Sequence, residues 1–143
     1  MNYSMSVGKI KEEIERFSII RAVAAVERCD VAILLIDANE GVTDQDTKIA
    51  GIAHERGKAA IIAVNKWDSI DKDEKTMNKY LKDISMELKY MEYAPKVFIS
   101  AMTGQRINRM LELIQTVYHN HALRISTGVL NEVLIEATAM QQP

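Results

Sequence analysis

Two unbroken apolar runs, Val31-Ala-Ile-Leu-Leu-Ile36 and Ala59-Ala-Ile-Ile-Ala-Val64, constrain this chain more than any other feature. A strand that is apolar at every position leaves no side for water. It belongs in a parallel sheet covered by helices on both faces. Segments of helical period surround the runs. Ile10, Ile14, Phe17 and Ala24 predict one face of a first helix over about 10–28. Thr43 or Asp44 is the expected N-cap of a second helix reaching Arg56, where Gly57 stops it. Asp71-Lys-Asp-Glu74 predicts the start of a third helix, with acidic residues at its positive end. Met77, Tyr80, Leu81, Ile84, Leu88 and Met91 then share a face. Pro95 precedes a short third strand, Lys96-Val-Phe-Ile99. Ile107, Met110, Leu111, Ile114, Val117 and Tyr118 predict a fourth helix. Val129, Leu130, Val133, Leu134, Ala137 and Met140 predict a separate last one. Strands alternating with helices imply parallel pairing through right-handed crossovers.

In such sheets ligands bind beyond the carboxyl ends of the strands. Three polar loops sit there: Asp37-Ala-Asn-Glu-Gly41, Asn65-Lys-Trp-Asp68 and Ser100-Ala-Met-Thr-Gly104. Asp68 is the most informative residue. A carboxylate offers two neighbouring acceptor oxygens, and guanine offers two neighbouring donors, N1–H and the N2 amine. A bidentate, charge-assisted pair results. Adenine presents an acceptor at N1 and would leave the carboxylate facing a lone pair. Lys66 can lay its stem across one face of the base, and Met102 can cover the other. Asn65 can tie the loops together or reach N7. The Ala101 N–H can donate to guanine O6, and Ser100 can brace its own turn or Asp68. Trp67 reads as packing, Asp37 as the cap of a tight turn, and Cys29 as an inert small residue. His54, His119 and His121 read as surface residues, the last two facing different sides of a helix and making a poor metal pair.

Composition narrows the function classes. Eighteen Lys and Arg against 20 Asp and Glu leave a net charge of −2, which argues against a free-standing nucleic-acid binder. One cysteine permits no intrachain disulfide and fits a reducing, cytoplasmic compartment. No apolar run approaches the ~20 residues of a membrane span, so no membrane partner is expected.

Asn65-Lys66-Trp67-Asp68 resembles the N-K-x-D guanine-specificity motif of Ras-like GTPases, and Ser100-Ala101-Met102 resembles their S-A-K/L loop. Glu40-Gly-Val-Thr-Asp-Gln-Asp-Thr-Lys-Ile-Ala-Gly51, Asp71-Lys-Asp-Glu-Lys-Thr-Met77 and Ser126-Thr-Gly-Val-Leu-Asn-Glu132 narrow the likeness. They are similar to the second G domain of the Der/EngA family, bacterial tandem GTPases of large-ribosomal-subunit assembly. The resemblance implies part of a P-loop GTPase-like, Ras-like three-layer α/β/α fold with about three parallel strands and a C-terminal linker helix. It divides the chain into an N-terminal segment (1–9) outside the family pattern or poorly ordered, the back half of a G domain (10–124) and a linker helix (125–143) leading towards an absent KH-like domain. It implies GTP or GDP as ligand, with Mg²⁺ in the complete family domain, and the ribosome or rRNA as partner.

The G-x-x-x-x-G-K-[ST] phosphate loop and the D-x-x-G switch have no counterpart in the sequence. The expectation is therefore a guanine-nucleotide-binding portion that does not hydrolyse GTP by itself. No catalytic residue and no metal ligand is assigned. The alternatives are a non-catalytic interaction module, self-associating through an exposed sheet edge or the last helix, and a truncated product without independent function.

Overall fold

The computed structural model describes residues 3–141. Helix α1 (Tyr3–Arg28) leads into strand β1 (Val31–Asp37), followed by α2 (Asp44–Glu55) and β2 (Ala59–Asn65). Helix α3 (Thr76–Glu87), strand β3 (Lys96–Phe98) and helix α4 (Ile107–Gln141) complete the order. The sheet runs β1-β2-β3 and is parallel throughout, as the alternation of runs and helical segments requires. Its register pairs Asp37 with Asn65 and Val64 with Phe98, so all three strands end at one rim.

Two clusters form the layers. Leu34, Ile36, Ile62 and Val64 face α2 and α3 together with Trp67, Ile84, Leu88, Met91 and Phe98. Ile61, Ala63, Val97 and Ile99 face α4 through Ile107, Met110, Leu113, Ile114 and Val117. Strand β2 is buried from Ala59 to Val64, as its unbroken apolar run demands. Helix α2 starts on a reciprocal cap. Thr43 Oγ1 accepts from the Asp46 N–H, and the Asp46 carboxylate accepts from the Thr43 N–H.

Several expectations need correction. Strand β1 is covered on one face only: Leu34 and Ile36 are buried, but Ile33 and Leu35 are 37% and 54% exposed. It is an edge strand: α4 lies mainly over β2 and reaches β1 near Val31. Helix α1 begins at Tyr3, and Ile10, Ile14, Phe17 and Ala24 are exposed; among its described side chains Val26 is buried. Met1 and Asn2 of the 1–9 segment lie outside the described residues. Helix α3 starts at Thr76, because Asp73 caps the chain from outside it. Its carboxylate accepts from the Lys75 N–H and the Thr76 hydroxyl. The two final helices are one helix of 35 residues, which passes through 124 and 125 without a break. No proline interrupts it, and Gly128 is accommodated inside it. Val129, Leu130, Val133 and Leu134 are exposed on it, and the side chain of Met140 lies outside what is described.

Candidate functional site

The rim is assembled where β1, β2 and β3 end. Past Asn65 the backbone turns through a left-handed residue, Lys66 (φ 62°), into a 3₁₀ turn at Trp67–Ser69. That inversion sends Trp67 inward and its neighbours outward. Trp67 is buried against Phe98, with ring centroids 4.5 Å apart, and meets Tyr80 edge-on at 5.2 Å. Its N–H donates to the Ile99 carbonyl at 3.1 Å, tying the loop to β3's exit. The Lys72 ammonium lies 5.3 Å from the centre of the indole and donates to the Trp67 carbonyl. The expectation that Trp67 packs is met.

Neighbouring loops are laced to one another. Asn65 Oδ1 accepts from the Ala101 N–H at 3.0 Å, joining two rim loops. Ala101 was expected to donate to guanine O6; here that N–H is given to Asn65. Ser100 is buried and its Oγ accepts from the Thr103 N–H, so it braces its own turn and not Asp68. The Asn39 amide donates to Ser69 Oγ at 3.0 Å, and Ser69 Oγ donates to the Lys66 carbonyl.

Asp37 does more than cap its turn. One carboxylate oxygen accepts from the Asn39 N–H at 2.8 Å and the other from the Lys66 ammonium at 2.8 Å. The hydrogen bond from Lys66 is the main cause holding the Asp37 carboxyl below the ordinary carboxylate value, and the same bond raises Lys66. Sequence reading missed this pair. Its signal was the equal length of the two apolar runs, which brings Asp37 level with Asn65.

Asp68 and Met102 stand apart from this lacing. Both are exposed, Met102 by 93%. Among the described residues no group hydrogen-bonds to the Asp68 carboxylate. It is not locked into a helix cap, since α3 begins eight positions later. Asn65, Lys66, Ser100 and Ala101 are thus brought together, while Asp68 and Met102 project from the same loops into solvent.

Among the described residues no cluster of three or more His, Cys, Asp or Glu side chains could hold a metal ion. No helix of the described residues is long and apolar enough to cross a membrane.

Comparison with known proteins agrees with this geometry. The family model described as "Elongation factor Tu GTP binding domain" matches residues 16–120. GTPase Der of Lachnoclostridium phytofermentans is 64% identical over 136 residues, which are 95% of this chain and 31% of that protein. GTPase Der of Agathobacter rectalis is 62% identical over the same share of each. The chain therefore spans about a third of the length of these curated relatives. The Der/EngA resemblance read from the motifs is borne out along nearly the whole chain. Among solved structures, Era in complex with MgGDPNP and nucleotides 1506–1542 of 16S ribosomal RNA is 26% identical. It matches with a TM-score of 0.55 over 68% of this chain and 30% of that one. Elongation factor SelB from Methanococcus maripaludis, bound to the GTP analogue GPPNHP, shares the fold at a TM-score of 0.62 and 22% identity, over 69% of this chain and 22% of that one.

Proposed function

Because this chain belongs to the elongation factor Tu GTP binding domain family, we propose that its rim grips the base of a guanine nucleotide. The observation that carries the reading is the state of Asp68. The polar groups of the Asn65–Ser69 and Ser100–Thr103 loops bond to one another, whereas this carboxylate has no partner among the described residues. It is left to accept N1–H and the N2 amine of guanine together. Lys66, standing upright on its pair with Asp37, lends its stem to one face of the ring. Met102 covers the other face. Asn65 and Ser100 position the loops and do not touch the base.

Phosphoryl transfer needs a phosphate cradle, a lysine and Mg²⁺. Gly8-Lys9 lies within α1, and Gly57 (φ +65°) with Lys58 leads into β2 in place of following a strand. Neither forms a phosphate loop. These residues therefore bind the base without hydrolysing GTP, at about millimolar strength, roughly −4 kcal/mol. In a longer protein the same rim would serve a Der-type GTPase in assembly of the large ribosomal subunit.

Ligand-observed NMR with GTP, GDP, XTP and ATP at millimolar concentration tests the reading. GTP and GDP should bind alike and ATP not at all. Asp68→Asn should abolish guanine binding and admit XTP, because the lost charge-assisted bonds are worth ~1.5–3 kcal/mol, a factor of roughly 10–100. Equal binding of ATP and GTP, or an unchanged preference in the variant, overturns it.

A further inference from the structure

A hollow of about 550 Å³ lies at the far end of the sheet from the rim, beneath Ala59 and Pro95 and against α4. Four basic side chains line it: His54, Lys58, His121 and Arg124. No carboxylate does. This is unexpected in a chain of net charge −2. The Lys58 ammonium donates to two backbone carbonyls, those of Cys29 at 2.9 Å and Glu27 at 3.4 Å. These bonds fix the ammonium without cancelling its charge. Arg124 has no carboxylate within ion-pair distance among the described residues. Asp30 lines an adjoining hollow that shares Lys58 and His121. His54 stands beside two aromatic rings, with centroids 5.4 Å from Tyr90 and 6.0 Å from Tyr93. Tyr93 reaches the hollow and is 45% exposed.

A recess with uncompensated positive charge, an amide donor at Asn120 and ring faces at its wall has the chemistry of an anion site beside a stacking surface. We propose that this hollow binds a phosphate group carried by a nucleotide or a polynucleotide strand. Arg124 supplies a fork of N–H donors to the phosphate oxygens, His121 and Asn120 add single bonds, and Lys58 supplies a fixed field. The adjoining His54 and Tyr93 rings take a base of any identity, since every base has a π-face. The site shares no residue with the rim and does not depend on guanine recognition.

Backbone NMR of the full chain distinguishes the sources of the phosphate. Uridine monophosphate and single-stranded oligouridylate are titrated separately, because neither carries the guanine edge that Asp68 would hold. Shifts confined to Gly57, Tyr93, Asn120 and Arg124 with the mononucleotide identify a free-nucleotide site. The same shifts only with the oligomer, weakening as salt rises, identify a polynucleotide strand. Arg124→Gln should abolish either set, Arg124→Lys should retain part of it, and far-ultraviolet circular dichroism confirms that both variants keep their helices. Absence of shifts at these residues with both ligands, or shifts indifferent to Arg124→Gln, overturns the proposal. Failure here leaves the guanine reading standing, and Asp68→Asn should change nothing at this hollow.

Discussion

Replacing Trp67 with alanine should show how much of the rim depends on one buried ring. Trp67 is the only tryptophan in the chain and is 2% exposed. Truncating a buried aromatic to alanine costs ~3–5 kcal/mol, from lost transfer and the cavity left behind. The edge-on contact with Tyr80 and the tilted contact with Phe98 place this site at the upper end, because both rings would face the void. The Lys72 ammonium over the indole adds ~0.5–1 kcal/mol at such a partly exposed position. A small domain has about 5–15 kcal/mol in total, so the variant should be marginal. With a urea slope of ~2 kcal/mol/M, a loss of ~5 kcal/mol moves the midpoint by ~2.5 M. Circular dichroism is the right probe, since the variant has lost the fluorophore. Trp67→Phe, which keeps a ring against Phe98, should recover more than half of the loss. A midpoint shift below ~0.5 M at unchanged slope would show that the indole is not the anchor, and that something else holds the loop to the sheet.

Asn65→Ala removes the acceptor for the Ala101 N–H and should cost ~1 kcal/mol; faster hydrogen exchange at Ala101 is the direct readout. The Asp37 carboxyl should titrate below its ordinary value of 3.8 in a carbon-13 NMR titration, and Lys66→Ala should raise it towards that value. Because the folded value is depressed, the pair's contribution is present above pH 3.8 and is lost as pH falls through the lower folded value. The Lys66 ammonium is raised above 10.5, so on the alkaline side the contribution holds below 10.5 and is lost as pH climbs through the higher folded value. Lys66→Gly should melt above Lys66→Ala, since both lose the ion pair but only glycine accepts φ near 62° without strain; the reverse order in a thermal melt would show that the left-handed turn carries no strain.

How much of the fold was legible depends on what each pattern encodes. The run from Ala59 to Val64 announced a strand buried on both faces, and β2 is one. The run from Val31 to Ile36 looked the same and is not, because an apolar run cannot say whether a neighbour exists to cover it. Burial is a property of the pair, and β1 lies at the sheet's edge. The same holds for Ile10, Ile14 and Phe17, whose helical spacing is real and whose side chains stand exposed. The apolar stripe of α4 shifts face between Tyr118 and Val129, so one helix reads in sequence as two. A stripe that shifts marks a change of surroundings and not a helix end: Gly128, the one glycine there, stays helical, and no proline occurs. Thr116 and Thr127 instead bond back to carbonyls four residues earlier within the helix.

The candidate site divides along the same line. That Asn65 to Asp68 would stand at a strand exit followed from the apolar run before them. That Asn65 would lace two loops was among the options its amide allowed. The left-handed turn at Lys66 had no signal, because lysine is not a residue that favours φ > 0. Its cost is met by the bonds around it: Ser69 donates to the Lys66 carbonyl through both N–H and hydroxyl, and Asp37 holds the ammonium. A strained residue so closely held usually sits where geometry matters more than local stability. Here the geometry it secures is an alternation that a regular strand could also give, but with a far sharper turn. Trp67 is driven into the core while Lys66 and Asp68 are turned out on either side of it. Burying the indole is thus what presents the two charged side chains together at the rim, and it leaves the carboxylate as the acceptor these loops do not use themselves.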